Sequence, residues 1–477
     1  MQRSLATSGK ESRKRGTLFG RETSRTNSDV APVAPEAGAT EAGVEDKSRL
    51  AFAGIYLLTL LMFIRPHEVM PGLFGGLPLI KILAISTIVI YIFSRVASHQ
   101  RIITWPIEMK MMTVMWVMGI ILTPIAVSPR ESIDILKDAF ANALIVFILL
   151  INLINTRSRL RSMLFTMVCS GIIFSLGALK EFRSGGVGGE DRMKGWSTQF
   201  ENPNDFAAVL TMILPLIIYF LFTKRGMMKL IYLGAAIITS FAILLTFSRS
   251  GFLGLIGASG VIAWNLTRGR RAIMVFASTA ILMGLLLAMP GSYMTRLSTM
   301  FNPNTDKTGS AQERQELLKR AAQLAVKRSV VGVGMGNFHV YSIREKVAHN
   351  SYLETAAELG LIGLIAYLTI IIAPLLALRR VQHRSDENGS GPDREMHIMA
   401  VCLQASIVAY IVYGFFGSVQ YFYVLYFFVG YAVALRQIYG ARGSDGTDNR
   451  VASGINQSQK GRGALWLQRR YRKPQLA

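Results

Sequence analysis

Long apolar runs recur along almost the whole chain, and this repetition restricts the possible folds more than any other feature of the sequence. Most of the runs approach the ~20 residues that a helix needs to cross a bilayer core. They include Ala51–Ile64, Ile82–Phe93, Ala139–Ile154, Phe206–Phe222, Leu230–Phe247, Phe252–Leu266, Ala272–Met289, Leu361–Leu378 and Ile398–Phe416. No water-soluble core needs so many segments of this length, so the pattern predicts an all-α, polytopic transmembrane bundle of about twelve helices.

The runs and their polar flanks divide the chain into three parts. Residues 1–49 are polar and lack apolar periodicity, which predicts a disordered cytoplasmic extension. Residues 50–437 form the membrane domain, and 438–477 form a basic cytoplasmic tail. The helices are predicted at 50–64, 77–94, 106–127, 138–154, 160–179, 205–222, 228–247, 250–267, 272–289, 352–378, 396–416 and 418–437.

The positive charge of the chain indicates its orientation. The formal net charge is +23, and much of the excess lies in alternate short loops and in the C-terminal tail. Loops rich in Lys and Arg stay on the cytoplasmic side of a membrane. We therefore expect both termini inside, and the two long connections at 180–204 and 290–351 outside. This distribution is typical of membrane topology, and we expect no nucleic-acid partner.

The sequence lacks the usual motifs for several kinds of metal and nucleotide chemistry. Cys169 and Cys402 lie inside apolar segments, so we expect neither a disulfide nor a cysteine metal site. The outward loops contain no metal-type Asp-x-Asp pair, and the chain has no Walker phosphate loop and no HExxH motif. We therefore expect no metal and no cofactor.

The longest outward connection contains an amphipathic stretch at 311–331. Apolar residues such as Leu317, Leu318, Ala321 and Leu324 recur at helical spacing, with basic residues including Arg320 between them. We predict a helix that rests on the outer surface of the bundle. Its alternative roles are a simple lid or an interfacial helix.

Two arginines are candidates for anion binding on the outer side. Arg249 occupies a tight outward turn between two apolar helices, and Arg314 opens the amphipathic helix. Guanidinium groups bind phosphate oxygens bidentately and remain charged at physiological pH. The alternatives are an interfacial side chain that reaches for water in the case of Arg249, and a solvated surface residue paired with a glutamate in the case of Arg314.

His349 is the candidate for proton transfer. It precedes Ser351 and Glu354, whose spacing predicts a capping box at the start of the next helix. A capping role explains the serine and the glutamate but not the histidine. A histidine on the aqueous side exchanges a proton near neutral pH, as a general acid or base requires. The alternative is a histidine without a catalytic role.

Two outward segments are candidates for substrate contact. The alternating glycines at 332–336, with Gly334 and Gly336, allow backbone N–H groups to approach a phosphate, although an ordinary turn fits them as well. In the loop at 195–205, Trp196 and Phe200 are suited to stacking on a sugar ring. Asn204 or Asp205 is predicted to cap the following helix.

The order of these outward motifs resembles the O-antigen ligase and polymerase superfamily. The resemblance rests on Ser248-Arg249-Ser250-Gly251, on Arg314 at the start of an outer helix, and on the Gly-x-Gly-x-Gly-Asn-Phe sequence at 332–338. It continues with His-Asn-Ser-Tyr-Leu-Glu at 349–354 and Glu-Leu-Gly-Leu-Ile-Gly at 358–363. Family members often have Trp where this chain has Leu, at position 318.

A second, shorter resemblance lies near the start of the membrane domain. Phe63-Ile64-Arg65-Pro66-His67-Glu68 resembles the first outward turn of ligase-like members associated with exopolysaccharide or exosortase systems.

The resemblance implies a glycosyltransferase of the bacterial inner membrane, with its active site facing the periplasm. Such an enzyme takes a glycan from undecaprenyl diphosphate and passes it to an acceptor hydroxyl, without metal and with inversion of the anomeric centre. The implied partners are this donor, a glycan, lipid or protein acceptor, and the lipid bilayer. The implied catalytic residues are Arg249, Arg314 and His349. Substrate contacts are predicted for the set Asn350, Gly334, Gly336, Trp196 and Arg320.

Three alternatives to a ligase remain open at the level of the sequence. A polymerase of the same superfamily transfers the glycan to another carrier-linked repeat unit. A transporter or lipid-glycan flippase has a similar helix count, but such proteins commonly carry charges near the membrane midplane. A noncatalytic scaffold for polysaccharide assembly is the third.

Overall fold

The computed structural model describes residues 38–65, 79–184, 193–195, 200–266, 284, 310–385 and 392–440, with side chains from Ser48 onward. No strand occurs in these ranges, and the predicted all-α, polytopic helical fold is confirmed. The chain is an integral membrane protein by the length and composition of its helices. The residues from Val44 onward form one compact unit.

Most of the described residues belong to helices. In chain order they are α1 (Gly38–Ile64), α2 (Leu79–Ala97), α3 (Ile107–Leu122), α4 (Pro129–Asp134), a π-helical turn (Ile135–Phe140), α5 (Ala141–Leu153), α6 (Arg157–Arg183), α7 (Pro203–Thr223), α8 (Met227–Leu245), α9 (Arg249–Leu266), α10 (Ser310–Lys327), α11 (Ser351–Arg384), α12 (Pro392–Gly414) and α13 (423–440).

Most of the predicted helices that fall within the described residues lie within a few residues of the observed ones, two differ more, and one cannot be compared. The first begins at Gly38, well before the predicted residue 50. The predicted helix at 138–154 begins at Pro129, because α4, the π-helical turn and α5 are continuous. The predicted helix at 272–289 lies outside the described residues, apart from Gly284.

Seven helices within the described residues are long and apolar enough to cross a membrane. They are Leu79–Ala97, Ile107–Ile125, Arg157–Arg183, Pro203–Thr223, Met227–Leu245, Ser351–Arg384 and Asp393–Gly414. Several apolar side chains of α2 point away from the protein, and Ile85 is 63% exposed. Such exposure is costly in water but favourable against lipid tails, so these faces are expected to contact the bilayer.

The core is formed around α12 and α13. All residues of 423–435 are buried. α12 packs against α7, α9 and α11, and α7 packs against α6 and α8. The two cysteines are free, as predicted.

Ion pairs tie together helix ends away from the candidate site. Glu108 at the start of α3 is fully buried and accepts two hydrogen bonds from Arg436 near the end of α13, at 2.8 and 2.9 Å. Glu395 near the start of α12 pairs with Arg161 and also accepts a hydrogen bond from the Tyr219 hydroxyl at 2.6 Å. The buried Glu108 and the half-buried Glu395 are thus each matched by a cation, which offsets the cost of their desolvation.

α11 is broken near its first third by Gly360. This residue has φ of +68°, and a Cβ there would lie 2.6 Å from the carbonyl oxygen of Val330. Only glycine adopts this conformation at so close an approach without strain. The break separates a short helical segment, 351–359, from the long apolar remainder of α11.

Candidate functional site

The candidate residues lie at one end of the bundle, where four helix ends meet. Ser248, directly before α9, donates to the Asn204 side chain of α7 at 3.0 Å. The Tyr413 hydroxyl at the end of α12 donates to Asp205 at 2.6 Å. Asn350, directly before α11, donates to the carbonyl oxygen of Phe415 at 3.4 Å. These contacts bring the turns that carry Arg249 and His349 to the same end of the protein.

The predicted amphipathic helix is confirmed as α10, although it ends at Lys327. Its apolar side packs on the segment before and at the start of α11, and Leu317 and Ala321 are 1% and 0% exposed. Burial of these residues anchors the helix to the bundle. The packing holds Arg314, near the start of α10, within electrostatic range of His349.

The environment of His349 keeps its imidazole neutral. Burial, together with the positive charges of Arg314 and Lys346 and against the opposing charge of Glu313, lowers the pKa of His349 to about 4. At pH 7 the ring therefore carries one unprotonated nitrogen, which can accept a hydrogen bond or a proton from a hydroxyl group.

Glu313 holds part of this charge arrangement together. Its carboxylate lies 2.7 Å from the Lys346 ammonium and 3.8 Å from the Arg344 guanidinium. The hydrogen bond from Lys346 and the two cations hold the pKa of Glu313 below its ordinary value. The charges that act on His349 are those of the cations Arg314 and Lys346 and of the anion Glu313, and this excess of positive charge favours an anionic ligand.

The cap at the start of α11 differs from the predicted capping box. The N-cap is Asn350, whose side-chain oxygen accepts the N–H groups of Tyr352 and Leu353 at 3.1 and 3.0 Å. The prediction failed because Ser351 and Glu354 both bind the turn that follows α12, a partner distant in sequence. Asn350 is 8% exposed with both ends of its amide engaged, so the described contacts give it a structural role.

The alternating glycines pack around a residue of the protein itself, Glu358. Glu358 is 1% exposed, and its carboxylate accepts the N–H of Phe338 at 3.2 Å and the N–H of Gly336. The N–H of Gly334 donates to the carbonyl oxygen of Glu358 at 3.0 Å. The Tyr421 hydroxyl also donates a hydrogen bond to the Glu358 side chain, at 2.7 Å. The contacts give Gly334 and Gly336 a packing role, and phosphate binding by them stays a prediction.

Gly332 is the most restricted of these glycines, and its replacement is expected to destabilise the site. Its φ is +70°, and a Cβ would lie 2.3 Å from the carbonyl oxygen of Glu358. We expect Gly332→Ala to cost about 3 kcal/mol, from the left-handed backbone and the clash together. Thermal unfolding in detergent measures this cost. Gly234→Ala is the control, because nothing lies within 4 Å of a Cβ there; equal melting temperatures of the two variants would contradict the assignment.

Asn337 fixes the glycine segment to the segment before α4, which the sequence did not indicate. Its side-chain oxygen accepts the N–H of Ser128 at 2.7 Å, and its amide nitrogen donates to the Ser132 hydroxyl at 2.9 Å. The Ser132 hydroxyl donates to the carbonyl oxygen of Met335 at 2.8 Å. Because the partners are far apart in the chain, local spacing could not show this contact.

The loop before α7 departs from two predictions. The cap of α7 is Asn202, which accepts the N–H of Asn204 at 2.9 Å, so neither Asn204 nor Asp205 is the cap. Phe200 is fully buried and packs edge-on against Phe174 at a centroid distance of 5.3 Å, which excludes stacking on a sugar. Trp196 lies outside the described residues.

The predicted cations differ in their surroundings. Arg249 is the first residue of α9 and is partly buried. Arg314 is also partly buried and faces His349. Arg320 forms a 3.4 Å ion pair with Glu316 one helical turn away, on the exposed side of α10. Such surface pairs are common on helices, and a substrate contact by Arg320 stays a prediction.

Sequence comparison indicates which family this part of the chain resembles. Residues 234–368 match the model of the Wzy_C family, which is described as O-antigen ligase. This part of the chain is therefore similar to the O-antigen ligase family. The matched segment contains Arg249, Arg314 and His349 together with the glycine segment, so the implied catalytic residues all fall within it. No curated protein sequence matches the chain at a significant level.

Proposed function

We propose that the protein is an inverting, metal-independent glycosyltransferase that moves a glycan from undecaprenyl diphosphate to an acceptor hydroxyl on the non-cytoplasmic face of the membrane. The similarity of residues 234–368 to the O-antigen ligase family supports a membrane-bound, glycosyltransferase-like enzyme. The identity of the donor, the side of the membrane that the site faces and the reaction steps are part of the proposal.

The observation that carries the proposal is the position of a neutral imidazole beside a guanidinium. α10, which carries Arg314, packs on the segment that carries His349, and the charge of Arg314 acts on the imidazole. A diphosphate needs a permanent cation, and an attacking hydroxyl needs an unprotonated acceptor. The hydrogen bond between Ser248 and Asn204 holds the turn that carries Arg249 at the same end of the bundle.

The reaction is a displacement at the anomeric carbon of the donor. The acceptor oxygen forms a bond to this carbon while the bond to the diphosphate oxygen breaks, and undecaprenyl diphosphate leaves with both electrons of that bond. His349 accepts the proton of the acceptor hydroxyl or orients that hydroxyl for attack. Arg249 and Arg314 stabilise the negative charge that grows on the leaving group, which lowers the barrier more than it strengthens ground-state binding.

A transfer assay with purified protein separates this proposal from a transporter and from a scaffold. Protein in liposomes without an ion gradient, with chelator and a lipid-linked glycan, is expected to yield a covalent product with the acceptor. A transporter would move the lipid without forming this bond, and a scaffold would form none. Loss of product in chelator, restored by a divalent metal ion, would contradict the metal-independent mechanism.

The same assay distinguishes a ligase from a polymerase. When only lipid-linked repeat units are supplied, a polymerase produces a ladder of increasing glycan length. A ligase produces no ladder and requires a separate acceptor. We propose the ligase reaction, and a ladder in the absence of other acceptors would assign the protein to the polymerase alternative.

A further inference from the structure

His349 has a backbone conformation that few residues other than glycine adopt. Its φ is +54°, in the left-handed region. A histidine stays in this conformation only where surrounding contacts hold it. The contact on its own backbone is the hydrogen bond from the His349 N–H to the Ser418 hydroxyl oxygen, at 3.0 Å.

Ser418 connects His349 to a buried carboxylate. Its hydroxyl donates to Oε2 of Glu354, which is 4% exposed. The same carboxylate oxygen accepts the N–H of Ala348 at 2.8 Å, and Oε1 accepts the Gln420 amide at 3.0 Å. The N–H groups of Ala348 and His349 therefore both connect to the Glu354 side chain. The N–H of Ala348 does so directly, and the N–H of His349 does so through the Ser418 hydroxyl.

The turn that carries Ser418 is itself fixed to α11. The Ser351 hydroxyl donates to the carbonyl oxygen of Gly417 at 2.7 Å and accepts the N–H of Val419 at 2.9 Å. The Asn350 side chain also donates a hydrogen bond to the carbonyl oxygen of Phe415 in this turn. Because the turn is held at these points, the Ser418 hydroxyl is a fixed anchor for His349.

We propose that Ser418 and Glu354 are positioning residues, which hold the His349 backbone so that its imidazole stays buried and faces Arg314. Their effect on turnover rests on the proposed function, but their effect on the imidazole does not. The charged groups that face this ring are Arg314 and Glu313 of α10 and Lys346 of the preceding segment. Glu354 of α11 adds its carboxylate behind Ser418.

The test compares Ser418→Ala with Ser418→Thr, which keeps the hydroxyl, in the full-length protein. The ¹⁵N signals of the His349 ring are followed against pH in detergent and assigned by their loss in His349→Asn. Ser418→Ala is expected to raise the pKa of His349 from about 4 toward its ordinary value of 6.5, because the ring leaves its buried place. Ser418→Thr is expected to keep the native titration.

Steady-state kinetics gives the second measurement. Loss of one hydrogen bond that orders a reacting group is expected to lower kcat about tenfold in Ser418→Ala, with the KM for the donor within about twofold. Ser418→Thr is expected to restore most of kcat. Ser170→Ala is the matched control, because this buried serine bonds only within α6 among the described contacts, to the carbonyl oxygen of Thr166.

The outcomes separate this proposal from the proposed function. A native His349 titration in folded Ser418→Ala would overturn the positioning role, whatever the turnover. A shifted titration in Ser418→Ala together with full turnover of His349→Ala would keep the positioning role and refute the catalytic one. If Ser418→Ala does not fold, Glu354→Gln replaces it, with a smaller shift in the same direction expected and an unchanged titration counting against the proposal.

Discussion

Replacement of Arg314 by Ala is expected to lower kcat by about 10²–10³-fold, the range found when one charge-stabilising donor is removed from an active site. Arg314 is partly buried in α10, and its charge acts on His349. Its guanidinium is proposed to bind the diphosphate oxygens as negative charge grows on them. Because this contact strengthens toward the transition state, we expect kcat to fall more than KM rises.

Two further variants make the Arg314 experiment specific. Arg314→Lys keeps the charge but loses the planar fork of donors, so an intermediate rate is expected. Lys319→Ala removes an exposed cation from the same helix and is expected to keep the native rate. Equal rates for Arg314→Ala and Lys319→Ala would show that Arg314 is an ordinary surface cation.

Replacement of His349 by Ala is expected to lower kcat by about 10²–10⁴-fold, the range typical of a lost general acid or base. The control is His383→Ala, which changes an exposed histidine in the last turn of α11. His349→Asn separates the two proposed roles, because an amide can orient a hydroxyl but cannot take its proton. A rate for His349→Asn close to the native rate would refute proton transfer to His349.

The pH dependence of the reaction follows from the same residue. The pKa of His349 is lowered to about 4 in the free protein, so the ring is neutral above that pH and becomes protonated below it. We expect kcat/KM to fall only as the pH drops through about 4. A bound diphosphate adds negative charge beside the ring and raises its pKa, so the acid limb of kcat should lie at higher pH than that of kcat/KM.

The repeated apolar segments predict most of the described membrane helices, because the bilayer imposes the same length and polarity on each of them. Pairing between distant segments was not predictable in this way. The sequence Ser351-x-x-Glu354 fits a capping box, but both side chains bind residues 417–420 instead. Local hydrogen-bond patterns give way where a buried partner from another helix offers better-satisfied contacts.

The site residues also differ in whether the local sequence predicts their roles. The resemblance to the ligase superfamily indicated Arg249, Arg314 and His349 together, and the structure brings the last two within electrostatic range. Phe200 was wrongly expected to face a sugar, because an aromatic residue in a loop has the same local signature whether it is exposed or buried. The roles of Ser418 and Asn337 depend on contacts across the fold, which no local spacing contains.

The break at Gly360 has a mechanical consequence for an enzyme that works at the surface of a bilayer. Bilayers vary in thickness, and a membrane helix accommodates the difference by tilting. A continuous α11 would transmit that tilt to its first turn and to His349. With the chain interrupted at Gly360, the apolar part of α11 can adjust to the lipid while residues 351–359 stay fastened to α10 and to the turn after α12. Under the proposed function, we therefore expect changes in membrane thickness to have little effect on the position of His349.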